Sequence, residues 1–160
     1  MGKLKKGSLA EEIQQTRPFD GVQQEAFISI LRTAAELSRG TTTFLKEYGV
    51  TPAQFNVLRI LRGAGAEGLC RHEIAERMVT AMPDVSRLLD RMEKLGWIAR
   101  ERSTKDRREV STVITPQGLE KIAGLEKPIQ RLHEEQFERI EKGKLKKLIA
   151  TMAAIRERIS

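Results

Sequence analysis

The sequence predicts a mainly α protein carrying a small β-hairpin, and three observations predict it. Apolar residues recur at three- and four-residue spacing through most of the 160 residues. Helix-opening and helix-closing residues punctuate that pattern. One region, from Trp97 to Thr115, breaks it with two short β-branched runs around a charged turn. The length suits one compact domain, or one domain with extended dimerisation arms.

Residues 1–19 are polar and read as an N-terminal arm, with a short helix-like patch around Leu9 to Ile13 that ends at Thr16-Arg17-Pro18. From about Gln23, the positions Phe27, Ile30, Leu31, Ala34, Leu37, Thr41, Phe44, Leu45 and Tyr48 keep the spacing of one face of a long amphipathic helix. Gly49 closes it. Thr51-Pro52-Ala53-Gln54 then combines an N-cap threonine, a proline at the first helical position and a capping-box glutamine, so a helix should run to about Arg62. The stretch GAGAEG, 63–68, ends it.

Cys70 takes the place of a cap for a short helix over about 71–77, with Glu73 three residues on and Leu69 able to staple onto Ile74. Beyond the loop MVTAM, Pro83 suits the first turn of a further helix whose buried stripe is Val85, Leu88, Leu89, Met92 and Leu95, with Gly96 as its left-handed stop. WIARERS and EVSTVIT read as the strands of an antiparallel hairpin. Thr115-Pro116 opens a helix that carries Leu119, Ile122, Leu125, Ile129, Leu132, Phe137 and Ile140, with a kink expected at Pro128. Gly143 is expected to divide it from a last helix containing Leu145, Leu148, Ile149, Met152, Ile155 and Ile159.

Two short helices joined by a tight connection and followed at once by a hairpin make a winged helix-turn-helix, flanked here by long N- and C-terminal helices. In that arrangement the second helix can enter a major groove about 12 Å wide. With the apolar stripe removed, Asp84, Ser86, Arg87, Asp90, Arg91 and Lys94 remain on its polar faces. Those nearest the N-terminal end are placed to read bases. Arg87 can bond to guanine O6 and N7, Ser86 can donate to a base or a phosphate, and Asp84 can either accept from cytosine N4 or favour the helix dipole. Arg91 suits a phosphate contact or an ion pair. At the hairpin tip, Arg107 and Arg108 are long cations able to reach a narrow minor groove, Lys105 would serve the backbone, and Asp106 would hold the wing's shape by pairing with a guanidinium.

Composition agrees with a polyanionic partner. Lys and Arg number 29 against 22 Asp and Glu, a formal charge of +7, and the pI is near 9.8. The cations are spread from Lys3 to Lys147, so charge alone does not locate a site. The single cysteine, Cys70, excludes an intramolecular disulfide and a multi-cysteine zinc site. No apolar run approaches the roughly 20 residues of a membrane span and the start lacks a signal-peptide core, so the expected location is the cytoplasm.

The run PDVSRLLDRMEKLGWIARERSTKDRREVSTVITPQG, together with TPAQFNVLRILR upstream, resembles the multiple-antibiotic-resistance regulator (MarR) family. The resemblance covers about residues 20–158 by layout. It implies a homodimer that binds palindromic promoter DNA, usually as a repressor relieved by a small-molecule effector or an oxidant; no cofactor and no membrane partner are expected. It puts Ser86 and Arg87 in the major groove and Arg108 in the minor groove. It divides the chain into an arm (1–19), a dimerisation helix (20–50), the DNA-binding lobe (51–115) and C-terminal dimerisation helices (116–160). An effector pocket lined by Phe27, Leu31 and Phe55 is a further expectation from the family.

Other features have simpler readings. Cys70 at a helix start could act as a redox switch, but a small cap residue is the simpler role, and redox-sensing members of the family are expected to carry their cysteine in the first long helix. His72 with Glu73 and Glu76, like His133 with Glu134 and Glu135, reads as surface rather than metal site. KGKLKK reads as a solvated helix junction, and Trp97 beside Gly96 as core. GAGAEG lacks the lysine and preceding strand of a phosphate loop, and no nucleophile–base pair is evident, so the chain is not expected to be an enzyme. The competing functions are a winged-helix module that binds proteins and a redox-sensing regulator through Cys70.

Overall fold

The computed structural model describes residues 8–102 and 110–159. The chain divides into two compact units, Met1–Gly49 and Val50–Ser160. In the first, α1 (Leu9–Glu12) is capped by the Ser8 side chain, and α2 (Val22–Glu47) is a single helix of 26 residues. Near its C-terminal end Phe44 and the cap residue Tyr48 bring their rings together at a tilt, centroids 5.1 Å apart. Arg32 and Arg39 both pair with Glu36, and the hydrogen bond from Arg39 is the main reason that the Glu36 carboxyl lies below its ordinary value.

The second unit opens with α3 (Pro52–Ala64), whose capping box is complete: Gln54 N–H donates to the Thr51 hydroxyl oxygen and Thr51 N–H donates to the Gln54 side chain. A 3-10 turn over Gly65–Glu67 leads to β1 (Leu69–Cys70), then α4 (Arg71–Arg77), α5 (Val85–Lys94), β2 (Ile98–Arg102), β3 (Val110–Ile114), α6 (Pro116–Phe137) and α7 (Lys142–Ile159). The predicted hairpin is therefore two strands of a three-stranded antiparallel sheet in the order β1-β3-β2. The additional strand, only two residues long, pairs Leu69 with Thr112 and Cys70 with Ser111. Ser111 reinforces that edge by donating from its hydroxyl to the Glu67 carbonyl at 2.7 Å.

The core forms where α3 meets α4, α5, α6 and β3. Val57, Leu58 and Leu61 from α3, Ile74 from α4, Leu88, Leu89 and Met92 from α5, Ile98 from β2, and Ile122 and Leu125 from α6 are buried. Trp97 joins them, with the Lys121 ammonium 5.5 Å from its ring centroid.

Three details depart from expectation. Leu95 is exposed: as the cap residue it continues the helical path to the margin of the stripe formed by Val85, Leu88, Leu89 and Met92, where the core no longer covers it. Pro83 precedes the cap residue Asp84 instead of lying in the first turn. The break between the last helices falls between Phe137 and Lys142, and Gly143 sits inside the first turn of α7, where helical backbone donors lack intrahelical partners in any case. Pro128 lies within α6 without ending it.

The joint between hairpin and α6 is built on two glycines. Gly96 has a φ of 74°, the left-handed conformation that lets the chain reverse out of α5 into β2. Gly118 has no room for a side chain, since a Cβ there would collide with the Trp97 carbonyl oxygen. Thr115 ties the two together, donating to the Gly96 carbonyl at 2.6 Å and accepting from the Gly118 N–H at 3.1 Å.

Candidate nucleic-acid interface

Helix α5 has one buried face and one charged face. Val85, Leu88, Leu89 and Met92 seat it against the core, which leaves Ser86, Arg87, Asp90, Arg91 and Lys94 exposed. Its N-terminal end is organised by Asp84. Oδ1 of that residue accepts from the Arg87 backbone N–H at 3.0 Å, and Oδ2 lies 3.0 Å from Arg87 Nε. The Arg87 side chain is nonetheless 84% exposed. Arg91 lies back along the helix, its Nε donating to the Arg87 carbonyl at 3.2 Å.

Two further residues, not singled out from the sequence, fix this helix in place. Arg100 on β2 forks to Asp90 (2.5 Å) and Glu93 (3.4 Å), tying the hairpin to α5. A pair of acids one turn apart, followed across a glycine turn by a strand arginine, was the available signal. Asn56 on α3 accepts from the Val79 N–H at 2.8 Å, anchoring the connection between α4 and α5. Nothing local in the sequence marks that contact.

At the start of α4, Cys70, His72 and Glu73 converge. Cys70 Sγ lies 3.0 Å from His72 Nδ1 and 3.0 Å from Glu73 Oε2, while the Cys70 N–H donates to the same carboxylate at 2.8 Å. The thiol contact first, then the backbone one, hold the Glu73 carboxyl below its ordinary value. Among the described residues no group of three or more His, Cys, Asp or Glu could hold a metal ion, and no helix is long and apolar enough to cross a membrane.

Lys105, Asp106, Arg107 and Arg108 lie outside the described residues. Phe27 and Leu31 are exposed on α2 in the first unit, and Phe55, half-buried on α3, belongs to the second.

A braced helix with an exposed polar face, followed by a paired-strand wing, defines a winged helix-turn-helix. The MarR family model matches residues 50–110. The chain is 32% identical to a MarR transcription factor from Planctomyces limnophilus, with 86% of this chain and 99% of that one covered and a TM-score of 0.65. The chain belongs to the MarR family. It is also similar to the HTH-type transcriptional repressor MdtR of Bacillus subtilis, 42% identical over 74 residues that make up 46% of either chain. Its fold is shared by the MepR–DNA complex of S. aureus, at 18% identity, with 82% of this chain and 96% of that one covered and a TM-score of 0.73. The chain spans about half the length of the curated relatives it matches.

Proposed function

We propose that the protein is a sequence-specific regulator of transcription that binds double-stranded promoter DNA as a cytoplasmic homodimer, occupying palindromic sites as a repressor until a small-molecule effector releases it. The observation that carries this reading is the N-terminal end of α5, where Ser86 and an 84% exposed Arg87 stand free of the core on a helix whose opposite face is fully packed. Arg87 would read guanine, Ser86 a base or phosphate and Arg91 the backbone. Lys105, Arg107 and Arg108 would serve the flanking phosphates and minor groove, with Asp106 holding the wing.

Dimerisation is supported by the apolar residues left uncovered on the terminal helices, among them Val22, Phe27 and Leu31 on α2 and Leu148, Ile149 and Ile155 on α7. Two copies would present recognition helices to half-sites about 34 Å apart. The effector, and Phe27, Leu31 and Phe55 as residues that touch it, rest on family membership alone.

Selection from randomised duplexes tests the reading. It should return an inverted repeat, and binding should weaken steeply with salt as phosphate contacts release counterions. Arg108→Ala should cost about 1–3 kcal/mol of affinity for the selected site with the fold intact. A pool with no enriched repeat, together with salt-independent or absent binding, would favour the protein-binding module instead.

A further inference from the structure

We infer that Asp84 is a positioning residue for base recognition: one carboxylate oxygen caps α5 while the other grips the Arg87 guanidinium along its Nε edge, leaving the outer Nη edge to meet a guanine. The inference rests on the reading of α5 as the recognition helix.

An arginine this exposed has no packing to hold it, and the unrestrained side chain carries rotamer entropy that a base contact would have to overcome. Here the restraint comes from the helix itself. Oδ1 accepts from the Arg87 backbone N–H at 3.0 Å, which keeps the carboxylate at the helix end. Oδ2 then lies beside Arg87 Nε as an ion pair, also at 3.0 Å. Arg91, one turn further on, reaches back along the helix to the Arg87 carbonyl. The Arg87 guanidinium is thus held at the N-terminal end of the helix, where a recognition helix touches base edges.

The pairing also selects which donors are offered. A guanidinium has five N–H groups in a rigid fork, and the Asp84 carboxylate sits beside its Nε as an ion pair. The remaining edge, formed by Nη1 and Nη2, presents two donors side by side, matching O6 and N7 of guanine. Asp84 meanwhile has both oxygens committed to Arg87 and its charge offset by the guanidinium. It acts through the arginine, and a direct bond to cytosine N4 would require giving that contact up.

The test uses the full chain as wild type, D84N, R87A and the double variant, each assayed on the site recovered from randomised duplexes and on the same site with single base pairs exchanged. Asparagine caps a helix as well as aspartate does, so D84N should melt with the wild type. Its preference for guanine at one position per half-site should fall by about fivefold, while binding to unrelated duplex stays level or tightens through loss of a carboxylate. In the R87A background, D84N should change no base preference. Retained discrimination by D84N alone would reduce Asp84 to a cap and overturn the inference, and so would an equal loss on every duplex. A D84N effect on base preference that persists without Arg87 would make Asp84 a direct reader, again overturning it. If R87A itself leaves every base preference unchanged, the assignment of Arg87 as a base reader fails as well, which separates the two failures.

Discussion

Helix α5 buries Val85, Leu88, Leu89 and Met92 out of ten residues, whereas α7, with 18, buries none. Both sequences place apolar residues at helical spacing. The difference lies in what the rest of the chain supplies. Helix α5 is surrounded by α3, α4 and β2, so its stripe is removed from water at roughly 25 cal/mol per Å². Helix α7 has Leu148, Ile149 and Ile155 in solvent, an arrangement suited to a surface that a second protomer completes. An apolar period in sequence reports that a face needs covering and is silent on which chain covers it.

Leu89→Ala is the most severe way to probe the covered side of this contrast. The side chain is 1% exposed, and its truncation should destabilise the protein by about 2–5 kcal/mol in urea unfolding. A cost under about 1 kcal/mol would mean that α5 is not held by its stripe. On the uncovered side, Ile149→Asp should leave the second unit folded and weaken self-association by about tenfold or more, read by sedimentation. An unchanged association constant, or no self-association by the wild type, would count against the proposed homodimer through this face.

The same contrast explains how much was legible in the sequence. Helix boundaries set by neighbours in the chain could be read directly: Thr51 with Gln54, Thr115 with Pro116, and Gly96 each act within a few residues. Strand β1 could not, because two residues carry no period and the strand exists only through pairing with Ser111 and Thr112 some forty residues on. Within the site, Ser86 and Arg87 were visible as polar positions left over after the stripe was assigned. The Arg100 fork, the Asn56 tether and the meeting of Cys70 with His72 depend on how elements or side chains are turned toward each other, which spacing along one element does not encode.

Arg100 joins the covered helix to the hairpin at its exposed edge, so its effect should be intermediate. Both of its acidic partners are partly solvated, and the exposed pairs together are worth about 1 kcal/mol. Arg100→Met should lower stability by about that amount and reduce operator affinity further than stability alone predicts, because the wing loses its registration against α5. Equal affinity for the selected site would show that the strand pairing with β3 suffices to orient the wing.

The smallest effect belongs to Glu73, at the solvent margin of the same lobe, and it is best seen as a change with pH. Hydrogen bonds from the Cys70 thiol and then the Cys70 N–H, aided by Arg77 and His72, lower its carboxyl from the ordinary 4.5. The unfolded chain therefore takes up this proton before the folded protein does. The stability that the group contributes is complete above the unfolded value and is lost as pH falls through the depressed folded value. Glu73→Gln keeps an oxygen that can accept from the Cys70 N–H and removes the titration. Melting curves from about pH 7 down to about pH 3 should show the gap between wild type and variant constant at first, then closing on the acid side. A gap that stays constant throughout would mean that the carboxylate is as easily protonated in the folded protein as in the unfolded chain, and that the Cys70 contacts do not hold it.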